Sequence, residues 1–441
     1  KKIILESNLH IRLLATGPPK EETGLRPIAS GPRSVEREIM HIGHLNVPKP
    51  EMNDETSFHD IQLKLYLHYS RQIENEGPGA GALKALEEDP RAQALQGQLI
   101  SYGNRASIFE ITKLAMWYLW ATHEFGSTVA ERNLNKFLDS ENIPVVNILW
   151  VLGIEVDKTI ELKNGIRIIS IKEMPDSPEK EHFLKDESFN RFSNNLPMPK
   201  AAITYTCEVK KISNPETSDR EKDKHFMTFS NPLYYVALLL NTVNGVSCIP
   251  FYSTSYSSRE MPMGMFCGRS GSAPLHEIWG SKSSKLSASN ALDLNELLDA
   301  FNALSPENRI RMNRIISRLS QAKRRVQIED KILDLGIALE MDILDDNKKN
   351  DQLSLWFRLR GSWFIGSTNQ ERQDIYYKLK ELYDYRSQVA HSGVLCGNNK
   401  NKIGKVIANW ETYVSLAEQI ICKLIYNNKP DWTKIILGEI E

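Results

Sequence analysis

The chain has 441 residues, with 55 Lys+Arg against 56 Asp+Glu for a formal charge of −1, and it is 41% hydrophobic and 25% charged. That length is more than one simple core serves, so two or three domains are expected, and the composition excludes a disordered or membrane-embedded chain. The charge balance gives no whole-surface attraction for nucleic acid, so a nucleic-acid surface would have to concentrate its basic residues locally.

The five cysteines, Cys207, Cys248, Cys267, Cys396 and Cys422, are widely spaced and form no CxxC pair, which fits a reducing cytoplasm and gives no zinc or dithiol signal. The longest apolar runs, LAMWYLWA at 114–121 and YYVALLL at 234–240, are well short of the roughly 18 residues of a membrane span, so no membrane association is expected.

In chain order, residues 1–100 alternate short apolar segments with Pro/Gly-rich stretches and read as short strands between long loops. Residues 105–139 have helical periodicity interrupted at Gly126, which predicts two helices. From 144 to 172 β-branched residues alternate, and KNG at 163–165 sits between TIEL and IRIISI as a hairpin turn would. A strand is expected at 201–212, a helix at PLYYVALLLNTV and a strand at SCIPFYSTSY, so the middle of the chain is mixed α/β. The Gly/Ser-rich stretch 268–290 is the linker candidate, with the break drawn at 281–292. Beyond it, helices are predicted at 293–302, 306–345, 351–365, 370–391 and 403–426. The expectation is an α+β multidomain chain: a mixed α/β N-terminal portion at 1–280, possibly in two subdomains with a break near 100–143, and an all-α helical bundle at 293–441.

One predicted helix carries a misplaced charge. Ile375, Leu379, Leu382, Val389 and Gly393 lie within about 40° of the line through Ile375 on it, and Arg386 falls inside that stripe. A guanidinium in an apolar seam costs several kcal/mol unless it is paired or hydrogen-bonded. Glu340 interrupts the apolar pattern of its own helix in the same way, among Ile332, Leu333, Ile337 and Leu344, and is the natural mate. Asp384, Ser387 and His391 share a face at i, i+3 and i+7, where a carboxylate and a hydroxyl can orient an imidazole. The bland readings are a structural Arg–Glu bridge and a surface His at a helix end before a Gly cap. Residues five apart are rotated by about 140°, so Arg386 and His391 converge only at a bent terminus or across a two-fold dimer.

The segment LYDYRSQVAHSG resembles the R-x4-H signature of HEPN domains, specifically the Apea-like branch. IEDKILDLGIALEMDIL at 328–344 is similar to the first long helix of that family with its internal Glu, and LWFRLRGSWFIG at 355–366 to the second, with Arg360 near the matching Arg. The resemblance covers roughly residues 310–425 in the expected order, which is more specific than R-x4-H alone. It implies a HEPN-like helical bundle that dimerises through its C-terminal portion and acts as a metal-independent endoribonuclease with no cofactor, in a toxin or antiphage setting. Arg386 and His391 would then be the catalytic pair, with Ser387 beside the Arg and Glu340, Asp384, Tyr383 and Arg360 in support. Gly393 stands two residues after His391, so regulation by modification of a Tyr at that place is not implied.

RNA is the expected partner, and Arg311, Arg314, Arg318 and Arg325 on one helical face, near Lys323 and Arg324, are the expected phosphate track; such stripes are more often only solvated surface. The N-terminal portion is expected to sense a phage component or a ligand. Two other readings stand beside this one. The bundle could be a non-catalytic dimerisation or RNA-docking module with Arg386 purely structural. Alternatively Pro175, Asp176, Glu208 and Lys210 spell a degenerate PD-(D/E)xK metal-nuclease pattern, although Asp176 sits in a turn. His41 and His44 in HIGH are two of the ligands zinc would need, with no third nearby, and are read as incidental.

Overall fold

The structure is a computed structural model that describes residue 42 and residues 58–73, 77, 79–101, 106–174, 180, 198–212, 232–243, 245–258, 260–262, 271–272, 283–344, 352–395, 400–428 and 430–439. These residues fall within a single structural unit spanning 40–441. Among them the fold is α+β.

Residues 58–95, expected as strands and loops, are helical: α1 (Phe58–Ile73), α2 (Ala80–Glu88) and α3 (Pro90–Leu95). Asp89 caps α3, with Pro90 at its first position. Residues 1–41 lie outside the described residues, as do His41 and His44. A short hairpin, β1 (Leu99–Ser101) and β2 (Ala106–Ile108), leads to α4 (Ile111–Phe125) and α5 (Ser127–Asp139). Gly126 between them takes φ 86°, the conformation a side chain would resist, so the predicted break is where the two helices part. Trp117, Tyr118 and Phe137 are at the centre of this helical core.

The sheet that follows is fully antiparallel, with strand order β5–β6–β7–β3–β8–β9. Its strands are β3 (Asn142–Leu152), β5 (Ile160–Glu161), β6 (Ile166–Ser170), β7 (Ala201–Lys210), β8 (Ile249–Tyr256) and β9 (Gly271–Ser272). KNG at 163–165 makes the turn between β5 and β6, with Asn164 at φ 61°. Alternation along β3 divides its side chains: Leu149 and Val151 enter one core, Ile148, Trp150 and Leu152 another on the opposite face. Helix α6 (Pro232–Leu239) lies in the first of these cores.

Of the expected linker, the described residues 283–292 form a strand and the start of a helix. β4 (Ile154–Val156) pairs in parallel with β10 (Ser284–Leu286), burying Leu286, and α7 (Ala288–Ala303) begins at once with a capping box between Ser287 and Asn290. The bundle continues with α8 (Pro306–Arg324), α9 (Ile328–Ile343), α10 (Leu353–Ile365), α11 (Asn369–Ser392), α12 (Lys400–Asn427) and α13 (Trp432–Leu437). The single helix expected at 306–345 is thus two. The chain turns at Arg325–Gln327, where the basic end of α8 (Lys323, Arg324) gives way to the acidic start of α9 (Glu329, Asp330), each charge complementing its helix dipole.

The apolar core does not divide at the expected boundary. Val151 and Ile203 of the sheet, Leu238 of α6, and Leu319, Leu335, Leu379 and Ile420 of the bundle belong to one cluster. A buried ion pair of the bundle is tied across the same junction: Lys323 Nζ, paired with Glu418 Oε1 (2.5 Å), also donates to Asn241 O (2.5 Å) and Val246 O (2.6 Å) on the other side, its three donors all used.

Candidate active site

Helix α11 positions the residues of interest. It opens on a capping box, Thr368 with Glu371, runs unbroken to Ser392, and closes on Gly393 at φ 73°, whose N–H donates to Val389 O. Leu379, Leu382 and Val389 are buried along its inner face. Arg386 lies on that face, half-buried, and donates from Nη2 to Glu340 Oε2 of α9 at 2.5 Å. The pairing expected from two charges in two apolar stripes is therefore present. Gly336, one turn before Glu340, makes room for it: a Cβ there would stand 2.4 Å from Arg386 Cγ.

The electrostatics of the pair are set by burial. Loss of water pushes the Glu340 carboxyl above its ordinary range, against the opposing pull of Arg386. The Tyr383 phenol is also raised, by burial first and then by Glu340, with Arg386 acting the other way; its ring packs on Phe357 with centroids 5.3 Å apart. Arg386 Nε is buried without a hydrogen-bond partner among the described residues.

His391, in the last turn of α11, and Asp384, two turns earlier, are exposed, while Ser387 is half-buried; no hydrogen bond joins these three among the described residues. Because α11 stays helical through Ser392, Arg386 and His391 remain about 140° apart around it. Arg360 serves elsewhere. It donates to Ile343 O at 2.8 Å, capping the C-terminal end of α9, and lies over the rings of Trp356 and Trp432.

The arginine track is largely committed to α9. Arg318 Nη1 (2.7 Å) and Arg325 Nε (3.0 Å) both meet the buried carboxylate of Asp334, and Arg311 Nη2 lies 3.6 Å from the buried Asp342. Of the four, only Arg314 is exposed without such a partner among the described residues. Asp334 and Asp342 were missed in the sequence; the available signal was a pair of aspartates eight residues apart on an otherwise apolar face.

Of the metal-nuclease pattern, only Glu208 and Lys210 lie among the described residues. Glu208 is exposed on β7 and lines a cavity of about 430 Å³ with Glu141, Lys136 and Glu260, whereas Asp176 lies outside the described residues. Among the described residues no group of three or more His, Cys, Asp or Glu is placed to hold a metal ion, and no helix is long and apolar enough to cross a membrane. Compared with protein-family models, with curated proteins and with solved structures, the chain matches none.

Proposed function

We propose that this chain is a metal-independent endoribonuclease of HEPN type, working in the cytoplasm as a homodimer through its helical bundle. The observation that carries this reading is the fixed guanidinium of Arg386, held by Glu340 and seated over Gly336, on the same helix as an exposed imidazole at its end. His391 of one copy takes the proton of an RNA 2′-hydroxyl, the 2′-oxygen bonds to phosphorus, and the P–O5′ bond breaks. The 5′-oxygen takes up a proton from solvent, leaving a 2′,3′-cyclic phosphate and a 5′-hydroxyl. Arg386, held by Glu340 through Nη2, offers Nη1 to the phosphate and stabilises the charge on the pentavalent phosphorane. Because the two residues face apart on one continuous helix, the reading calls for a partner copy to complete the cleft. Exposed Val394 (50%) and Ile407 (60%) are apolar surface on the segments that follow His391 and fit such an interface. The resemblance suggests a toxin or antiphage role, with the α/β half receiving a phage component or a ligand as trigger.

One observation favours a second reading. Arg386 already has a carboxylate partner, which suits a purely structural bridge in a dimerisation or RNA-docking module. His391→Ala separates the two: it should fold and elute like the wild type, yet lose cleavage by about 100-fold or more, the usual weight of a general base. Cyclic-phosphate termini on the RNA products, with EDTA in every sample, are the readout. Unchanged cleavage by the variant would sink the ribonuclease assignment to this pair.

A further inference from the structure

A groove of about 770 Å³ runs between the first turns of α8 and the last turns of α9, lined among others by Glu307, Ile310, Arg311, Arg314, Glu340 and Leu344. Its charges largely cancel in pairs. Arg311 faces Asp342, and Glu340 is taken by Arg386 on its other side. That leaves Arg314 and Glu307, and Glu307 sits in the first turn of α8, where the positive end of the helix dipole offsets it. On the α9 side the Arg360 guanidinium caps the carbonyl of Ile343, which blunts the negative pole of that helix. The balance of the groove is therefore positive and centred on Arg314, an exposed guanidinium that no carboxylate holds among the described residues.

We propose that this groove is a second phosphate subsite, in which Arg314 holds a backbone phosphate of the single-stranded RNA whose reacting phosphate is held by Arg386. The proposal rests on the ribonuclease reading above and deepens it. Glu340 links the two positions, because its carboxylate lines the groove and also orients Arg386. Of the arginines aligned on α8, the groove selects the one that no buried aspartate claims. Arg314 is thus a positioning residue that acts on binding and not on the chemical step.

The test separates binding from cleavage. In a full-length His391→Ala background, anisotropy of a labelled single-stranded RNA is followed across NaCl concentrations. Adding Arg314→Ala should weaken binding at low salt by about three- to ten-fold and reduce the log–log salt slope by about 0.7, the counterion release of one single-strand phosphate. Lys380→Ala, the same charge change at an exposed position of α11 outside the groove lining, is the control and should do neither. Arg314→Lys should recover part of the loss. In the wild-type background Arg314→Ala should raise KM and leave kcat close to its original value. Equal slopes for Arg314→Ala and Lys380→Ala, or no RNA binding at low salt, would overturn the subsite. Retained cleavage by His391→Ala would overturn the catalytic reading instead, leaving the slope measurement to stand as a statement about binding.

Discussion

Arg386 and Glu340 sit 2.5 Å apart with side chains 25% and 19% exposed, a setting in which attraction and desolvation are of comparable size. The raised Glu340 carboxyl says that desolvation is the larger of the two for this group. The sign follows by linkage. A carboxyl with a raised folded pKa contributes stability that is fully present below its unfolded value near 4.5 and is lost as pH climbs through the folded value. Urea unfolding from pH 4 to 8 should therefore show the wild type losing stability relative to Glu340→Gln as pH rises across that window; a pH-independent difference would contradict the assignment. Gly336 offers a second test. Gly336→Ala drives a methyl against Arg386 Cγ and should cost about 1–3 kcal/mol, the usual range for overpacking, measurable by thermal or urea denaturation. A variant as stable as the wild type would mean that α9 and α11 part easily at this point.

At the scale of elements, α8 is tied to α9 by Asp334, which accepts from Arg318 and Arg325 at once. Asp334→Ala should destabilise the protein by about 1–3 kcal/mol, toward the lower end because Arg318 is 42% exposed and can be rehydrated when its partner goes. A loss below a few tenths of a kcal/mol in urea unfolding would show that solvent already screens these bonds. The same pair explains what was and was not legible in the sequence. Arg386 and Glu340 could be matched because each interrupts an apolar stripe, and burial forces such groups to find each other. The arginines of 311–325 could not be assigned, because helical spacing says which residues share a face but not what stands opposite. The break between α8 and α9 was hidden for a related reason: no Gly or Pro marks it, and only the inversion from basic to acidic residues records it. The strands around 144–172 and 201–256 were readable from alternation, since each face of that sheet meets a different core.

Across the whole molecule, Lys323, paired with Glu418 inside the bundle and bonded to the carbonyls of Asn241 and Val246, is the polar counterpart of the shared apolar core, the two side chains of the pair being 6% and 5% exposed. Burial lowers the Lys323 ammonium and raises the Glu418 carboxyl, so both groups resist being charged where they are. Lys323→Met alone should cost about 3–5 kcal/mol by stranding a buried carboxylate, whereas Lys323→Met with Glu418→Met should recover most of that loss. Urea midpoints of the two variants decide it, and a double variant no better than the single would show that the carbonyls of Asn241 and Val246 are the partners that matter. The tryptophans report from both sides, with Trp410 in the shared core and Trp150 in the core on the other face of the sheet; because β3 sends side chains into both cores, one transition is predicted for both. The shared core also governs what a protease can accomplish. Cutting within the Gly/Ser stretch 268–290 severs the chain but not the packing of Val151 and Leu238 with Leu319 and Leu335, so the two fragments should co-elute until denaturant is added. Shedding its front half is therefore a route by which this protein's helical bundle cannot be set loose.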